Sequence, residues 1–398
     1  MRVRVGKGVA HGTVDAPPSK SFGHRLLIGA ALADGESRLH RLGQNEDLAA
    51  TAECLRALGA EIFQDGEDVT VRGTVSCAEN RVFPCRESGS TLRFLVPVSL
   101  LYGGGNFTGT PRLLKRGVGI YERLLPKHGA GLARTESSVS VSGTLISGTY
   151  ELPGNVSSQF VSGLLFALPL LGEDSRITVL PPFESRPYAQ ITGEVLSEFG
   201  VKILETGNGY IVSGKQKYRP VEAEAEGCWS NAAFFYALNA LGGDVQVNGL
   251  KENSLQGDRI CVDFFEKLSR PGAVLDISDC PDLAPVLFAV AAALYGGVFT
   301  GTRRLALKES DRAAVMAEEL AAFGVRCERT ENSVAVFPGT RHAPVRPLDG
   351  HNDHRVVMAL SVLATRTGAE IFGAEAVRKS YPGFFEALRR LSVDVEIL

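Results

Sequence analysis

Residues 199–214 read FGVKILETGNGYIVSG, and they contain a whole folding instruction. An amphipathic helix ends at Phe199, and Gly200 stands where the chain must turn left-handed to leave it. Lys202 to Thr206 can run extended, Gly207-Asn208-Gly209 supplies turn chemistry, and Tyr210-Ile211-Val212 makes a second strand. A helix followed by a β-hairpin is predicted. The pattern recurs as LGAEIFQDGEDVTVRG at 58–73, HGAGLARTESSVSVSG at 128–143 and FGVRCERTENSVAVFPG at 323–339. Its opening glycines are Gly59, Gly129, Gly200 and Gly324; the first three lie 70 and 71 residues apart, and the fourth 124 further on, room for two shorter units. Weaker copies fill the gaps, FEKLSRPGAVLDIS around Gly272 and ALRRLSVDVEIL at 387–398. Six helix–hairpin units imply a repeated α/β architecture. They are longer than the usual solenoid repeats, so two three-fold domains are expected.

The length agrees, since 398 residues make two domains of ordinary size. Lys and Arg number 42 against 45 Asp and Glu, and this near balance gives no support to a general nucleic-acid or membrane-surface role. Any basic cluster must be local and aimed at a small anion. The seven cysteines (Cys54, Cys77, Cys85, Cys228, Cys261, Cys280 and Cys327) are odd in number, scattered and free of CxxC pairs, which suits a reducing cytosol. The opening Met-Arg-Val-Arg-Val-Gly-Lys lacks the apolar core of a signal peptide. The longest apolar stretch, Leu283 to Tyr295, has 13 residues where a spanning helix needs about 20. A cytoplasmic protein, acting as a monomer and without membrane or nucleic-acid partners, is the expectation.

A second recurring element points to chemistry. Several predicted helices are apolar almost all round yet open on polar residues: Ser19-Lys20-Ser21, Glu87-Ser88-Gly89-Ser90, Ser157-Ser158-Gln159, Trp229-Ser230-Asn231, Pro281-Asp282 and Asn352-Asp353-His354-Arg355. A helix apolar all round is buried, so its polar head must emerge somewhere wet. For any one helix the hydroxyls are ordinary N-caps. Six such heads, several with Lys or Arg a turn in, read as anion sites built on N-terminal amides and helix dipoles. Lys20, Ser21 and Arg25 combine a point charge, a hydroxyl and a bidentate fork suited to phosphate and carboxylate. Gly89 lets a ligand approach the backbone, with Arg93 one turn in. Gly109-Thr110-Pro111-Arg112-Leu113-Leu114-Lys115-Arg116-Gly117 reads as a basic loop. Lys308 and Arg312 are expected to open a helix at i, i+4, with Glu309 between them in sequence but on another face. Arg378-Lys379-Ser380-Tyr381 supplies a last basic head.

The sequence has no Walker A, no GxGxxG after a strand and no GxSxG elbow. Of seven His only His351 and His354 are close, too little for a metal site without a matching carboxylate or thiol set. Neither cofactor nor metal is expected. What remains is about eight cations and two carboxylates arranged to hold a multiply anionic small substrate.

These motifs together resemble the 5-enolpyruvylshikimate-3-phosphate synthase family. The carriers are APPSKSFGHR (16–25), ESGSTLRF (87–94), TGTPRLLKRGVG (108–119), SSQF (157–160), ESRPY (184–188), PDLAP (281–285), LKESDR (307–312), NDHR (352–355) and RKSYP (378–382), which run end to end in the family's order. The resemblance implies a two-domain inside-out α/β barrel, each domain three βαβαββ repeats, with the active site in the inter-domain cleft. Residues 1–18 and 224–398 would form a discontinuous domain with most phosphoenolpyruvate and acid–base residues, and 19–223 an inserted domain with most shikimate-3-phosphate residues. It implies transfer of the enolpyruvyl group of phosphoenolpyruvate to the 5-hydroxyl of shikimate 3-phosphate through a tetrahedral intermediate. Lys20, Ser21, Arg25, Ser157, Ser158, Gln159, Ser185, Tyr188, Asp282 and Lys308 would hold shikimate 3-phosphate. Lys20, Gly89, Ser90, Arg93, Arg116, Gln159, Arg312, Arg355 and Lys379 would hold phosphoenolpyruvate, and Lys308 matches that pocket as well. Asp282 would take the hydroxyl proton, and Glu309, or Lys20, would handle the proton at the enolpyruvyl carbon.

Three positions depart from the family pattern: Glu87-Ser88-Gly89-Ser90 for the common Asn-Ala-Gly-Thr, Arg304 where some relatives have Asn, and Cys228 where Asp is expected. The sister enzyme that acts on a nucleotide sugar needs a Cys within 108–119, and none is there. A non-catalytic anion-binding descendant would have no reason to keep both Asp282 and Glu309 among the cations.

Overall fold

The structure, a computed structural model, describes residues 1–76, 80–339 and 342–398. Cys77 lies outside the described residues; the other six cysteines are free thiols, five of them buried. No helix among the described residues is long and apolar enough to cross a membrane.

The chain divides into two compact units, Met1–Pro17 with Gly227–Leu398, and Pro18–Glu226. The second crossing lies three residues past the expected 223/224 because Glu222–Glu224 pairs in parallel with Glu36–His40 and so belongs to the inserted unit.

The inserted unit carries three four-stranded sheets of one topology. In the sheet containing Thr149–Pro153, that strand lies parallel to Ser175–Leu180, which pairs antiparallel with Gly209–Val212, itself the hairpin partner of Ile203–Thr206. Between these strands run the helices Gln159–Ala167 and Arg186–Glu198, so the order is βαβαββ. At the end of the second helix Gly200 adopts φ +78°, and its N–H bonds the carbonyl of Ser197. That backbone is the left-handed exit a side chain would strain. The sheet from Val82–Pro84, Gly105–Thr108, Ser138–Gly143 and Ala130–Arg134 repeats the arrangement. The third takes its opening strand, Glu222–Glu224, from the far end of the unit.

The discontinuous unit holds two further copies. One contains Val274–Asp276, Gly297–Thr300, Ser333–Val336 and Cys327–Arg329. In the other, Arg2–Val5 inserts between Ala369–Phe372 and Val395–Ile397 and so completes the hairpin that opens in 387–398. The copy expected around Gly272 is different. Val274–Asp276 forms no hairpin of its own but opens the next sheet, and the remaining strands His11–Asp15 and Asp244–Asn248 pair as a two-stranded sheet. The cause is local: Asp276 is followed by a turn and the helical Pro281–Leu283, which leaves no second strand.

Each unit has its own apolar core. The helix Ala284–Ala293 is buried at every position but the last, and His354–Ala364 along its whole length, including its charged first turn. Each large apolar side chain buried there contributes about 1.5–3 kcal/mol, which binds the helices firmly enough to fix what their heads present.

Candidate active site

The side chains singled out in the sequence gather into two clusters among the described residues, one in each unit. In the inserted unit the helix Lys20–Leu32 begins after Ser19 and Pro18, with Lys20 at its first position. Lys20 Nζ is 2.6 Å from Asp47 Oδ2 on the helix Glu46–Leu58. Arg25 is buried, and four of its N–H groups are engaged: with Thr192 Oγ1 at 2.8 Å, the Ser21 carbonyl at 2.7 Å, Ser162 Oγ at 3.3 Å and the Tyr188 carbonyl at 2.7 Å. Burial draws its pKa down to about 9. It ties the helix heads at Ser21, Ser162 and Tyr188 together, and is a less open fork than the sequence suggests. His24, between these cations, is buried and held neutral, first by desolvation and then by Lys20 and Arg25.

From His24 a chain of hydroxyls runs to the next head. His24 Nδ1 lies 2.7 Å from Thr51 Oγ1, Thr51 Oγ1 lies 2.6 Å from Thr91 Oγ1, and the Thr91 hydroxyl donates to Ser88 Oγ at 2.7 Å. Ser88 caps the helix Gly89–Ser99 by accepting from the Thr91 N–H. At that helix start two guanidinium groups converge. A Cβ on Gly89 would lie 2.9 Å from Arg116 NH2 and 3.0 Å from Arg93 NH1. Arg93 NH1 donates to Gln159 Oε1 at 2.5 Å, and Gln159 Nε2 donates to Ser90 Oγ at 2.9 Å. A buried Tyr121 hydroxyl fixes both helix starts, donating toward the carbonyls of Arg93 and Phe160. Ser157 Oγ accepts from the Gln159 N–H; Ser158 and Ser185 are buried, the latter in a left-handed backbone at φ +55° just before Tyr188. The basic loop at 108–119 is in fact partly helical: Pro111–Arg116 forms six residues of helix capped by the Thr110 hydroxyl, which delivers Arg116 to Gly89.

Gly89→Ala therefore puts a methyl group where the two guanidinium groups meet. An anion seated on them should bind more weakly, its Kd raised roughly tenfold for a displacement of a few tenths of an ångström. Calorimetry of the variant with inorganic phosphate checks this, and an unchanged Kd would place the anion elsewhere.

The discontinuous unit gathers Asp282, Lys308, Glu309, Arg312, Arg355 and Lys379. Asp282 stands on the helical turn Pro281–Leu283 ahead of the buried helix Ala284–Ala293. Its Oδ1 accepts from Lys308 Nζ at 2.9 Å and Arg312 NH1 at 2.7 Å, and its Oδ2 lies 3.7 Å from Arg355 NH2. Burial opposes the charge on Asp282, but Lys308, Arg355 and Arg312 outweigh it and hold the carboxyl well below the usual carboxylate range. Solvent reaches about a quarter of the side chain, so the direction rests on the three cations. Burial pushes Lys308 down despite Asp282. Lys308 does not open a helix with Arg312; it ends the turn Arg303–Leu307, and the helix starts at Arg312 after the Asp311 cap. Extended backbone at Lys308 turns its amine to Asp282.

Arg312 is 1% exposed and reaches three carboxylates: Asp282, Glu309 Oε2 at 2.6 Å and Asp353 Oδ2 at 2.9 Å. Asp353 also accepts from the Ser310 hydroxyl at 2.9 Å and caps its own helix through the Arg355 N–H. Arg355 NH1 donates to the Ser230 carbonyl at 2.8 Å, and Lys379 Nζ to the Asn352 carbonyl at 2.6 Å. Arg304 is buried and donates to the Ser278 carbonyl, and its charge helps to lower Lys308. Cys228 is buried at the start of Trp229–Ala240 near Arg355, and burial pushes its thiol up.

The residues expected to hold phosphoenolpyruvate thus divide, six (Lys20, Gly89, Ser90, Arg93, Arg116 and Gln159) in the inserted unit and three (Arg312, Arg355 and Lys379) in the other. The expected concentration in the discontinuous unit is not seen, because the Gly89 cradle is built wholly from Pro18–Glu226. Asp47, Asp353 and Ser230 have no assigned role in the sequence reading. An acid four residues from Lys or Arg would have been a signal, but these partners come from distant segments.

The family model for EPSP synthase (3-phosphoshikimate 1-carboxyvinyltransferase) matches residues 6–273 and 264–388. The chain belongs to the EPSP synthase family. Relatives named 3-phosphoshikimate 1-carboxyvinyltransferase include one from Clostridium perfringens (strain SM101 / Type A), 35% identical with 96% of each chain covered. One from Clostridium kluyveri is 36% identical, covering 97% of this chain and 96% of its own. Among solved structures, an EPSP synthase from Acinetobacter baumannii superposes with a TM-score of 0.82 over the whole of both chains at 24% identity. That structural likeness bears on fold, a mixed α/β one in two domains, which the sheets, helices and two units among the described residues match.

Proposed function

We propose that the chain transfers the enolpyruvyl group of phosphoenolpyruvate to the 5-hydroxyl of shikimate 3-phosphate and releases phosphate. The observation that carries this reading is Asp282, a carboxylate gripped by Lys308, Arg312 and Arg355. A base held by three cations is quiescent until another anion takes them. An arriving donor, with its carboxylate and phosphate, competes for Arg312 and Arg355, and the carboxyl of Asp282 then regains affinity for a proton. The 5-hydroxyl oxygen bonds to C2 of phosphoenolpyruvate while its proton passes to Asp282, and C3 takes a proton from Glu309, with Lys20 the alternative donor. The tetrahedral intermediate loses phosphate as the bond from C2 to the phosphate oxygen breaks, the departing phosphate takes the proton held by Asp282, and C3 returns its proton to Glu309. Arg93, Arg116 and the Gly89 amide stabilise charge that develops on phosphate.

Ser21, Arg25, Ser157, Ser158, Ser185, Tyr188, Asp282 and Lys308 serve shikimate 3-phosphate, and Lys20 and Gln159 serve both substrates. The acid–base carboxylates belong to one unit and the Gly89 cradle to the other. These steps use neither metal nor nucleotide. The protein works as a cytoplasmic monomer. Purified protein with both substrates, EDTA and no nucleotide should release phosphate, and neither substrate alone should suffice. Binding of shikimate 3-phosphate by calorimetry without any release would instead favour an anion-binding descendant.

A further inference from the structure

Glu319 sits on the helix Arg312–Ala322, two turns beyond Arg312, and is fully buried. Its Oε2 accepts from Arg346 NH1 at 3.0 Å and from the Asp349 N–H at 3.2 Å; its Oε1 accepts from Arg346 NH2 at 3.0 Å and lies 3.0 Å from His351 Nε2. With Glu318 and His351 it could be taken for a metal site, but the Arg346 fork already spans both carboxylate oxygens and neutralises them.

The knot acts on the turn between Asp349 and Asp353. His351 and Asn352 are consecutive non-glycine residues at φ +49° and +52°. Such backbone persists only where its surroundings over-determine it. The segment is held from three sides: Asp349 Oδ1 accepts from the His351 N–H at 2.7 Å, the Gly350 N–H donates to the Phe372 carbonyl, and Glu319 grips both Asp349 and His351. That double left-handed step aims the Asn352 carbonyl at Lys379 and sets Asp353 against Arg312, Ser310 and the start of Arg355's helix. Thus the placement of three cations depends on a carboxylate that touches none of them.

We propose that Glu319 is a positioning residue for phosphoenolpyruvate: through Arg346, Asp349 and His351 it fixes the turn that places Lys379, Arg312 and Arg355. This rests on the enolpyruvyl-transfer reading above. The geometry gives a specific signature. Loosening the turn displaces donor-binding cations of the discontinuous unit and leaves Ser21, Arg25 and Ser157, in the inserted unit, untouched.

The test compares wild type with Glu319→Gln, His351→Ala and His351→Gln in the full chain, measuring kcat, KM for phosphoenolpyruvate, shikimate-3-phosphate affinity by calorimetry, and Tm. Glu319→Gln should raise KM for phosphoenolpyruvate roughly 10- to 100-fold, the range expected for misplacement of binding groups by up to an ångström, with shikimate-3-phosphate affinity within about twofold. His351→Ala should raise the same KM. His351→Gln, whose amide can still donate to Glu319, should restore most of it. If Glu319→Gln does not fold, the two variants at the partly exposed His351 decide alone. A lowered Tm with unchanged phosphoenolpyruvate KM would overturn the inference, as would equal loss of affinity for both substrates. Absence of turnover in the wild type would instead overturn the reaction assignment, so the two failures are distinct.

Discussion

Asp282→Asn should lower kcat by about 10²–10⁴-fold, the usual contribution of a positioned acid or base, which is roughly 3–5 kcal/mol of barrier. The same change should leave phosphoenolpyruvate binding intact or tighter. In the native site the carboxylate occupies Lys308, Arg312 and, more loosely, Arg355. It is a resident competitor for the cations that an anionic donor needs. Asparagine keeps the shape and removes the charge, so the donor meets one resident anion fewer, while Arg312 still reaches Glu309 and Asp353. Steady-state kinetics and equilibrium binding of phosphoenolpyruvate separate the two effects. Near-normal turnover would remove Asp282 from the proton transfer, and a clearly raised KM would show that its charge holds the cations in place instead of competing for them.

Arg312→Leu should be the most destabilising single change in the site. The guanidinium is 1% exposed and Asp353 is not exposed at all, and breaking a buried pair by removal of one partner costs about 3–5 kcal/mol. The loss should depend on pH with a definite sign. In the native protein burial tends to raise Asp353, but Arg312 prevails and its carboxyl lies below the ordinary value. A depressed native pKa gives stability that is complete above the unfolded-state value near 4 and lost as pH falls through the native one. Without Arg312 burial dominates, the Asp353 pKa rises above its unfolded value, and the variant gains stability as it takes up a proton. The gap between wild type and variant should therefore narrow from pH 7.5 to about 5. Urea denaturation at the two pH values measures it, and a constant gap would mean that lost packing, not stranded charge, is the cause.

Much of this was legible because glycine and turn residues report on backbone where they stand. FGVKILETGNGYIVSG announces its helix exit and its hairpin without help from elsewhere, and the structure places strands at Ile203–Thr206 and Gly209–Val212. Asp282 and Arg355 stand out in the sequence because charge at the head of a buried helix is costly unless it meets a partner or a ligand, whereas Glu309 is marked only by its place in the LKESDR motif of the resemblance. The misreadings share one origin, dependence on distant chain. The strand Glu222–Glu224 completes a repeat that starts at Lys20, and Arg2–Val5 completes one that ends at Val395–Ile397, so a fixed period along the sequence cannot register either. Arg25 reads as an open fork because Thr192, Ser162 and the Tyr188 carbonyl lie far from it in sequence. The spacing of Lys308 to Arg312 suggests one helix for both, whereas the Asp311 cap starts that helix only after Lys308. Glu319 gives no signal at all, being one carboxylate of an ordinary Glu-Glu pair until Arg346 and His351 are seen to close on it.

The interleaving of the units also bears on the order in which a nascent chain can fold. Pro18–Glu226 is one uninterrupted stretch, and its two ends are already joined where the Ser19 N–H bonds the Glu226 carbonyl. Everything this unit needs has left the ribosome once residue 226 is clear. Arg2–Val5, synthesised well before, must wait unpaired until Ala369–Phe372 and Val395–Ile397 emerge to flank it. During translation the inserted unit is thus free to consolidate early, while a strand of alternating Arg and Val, with Val3 and Val5 as its apolar face, is left in search of partners until those segments emerge.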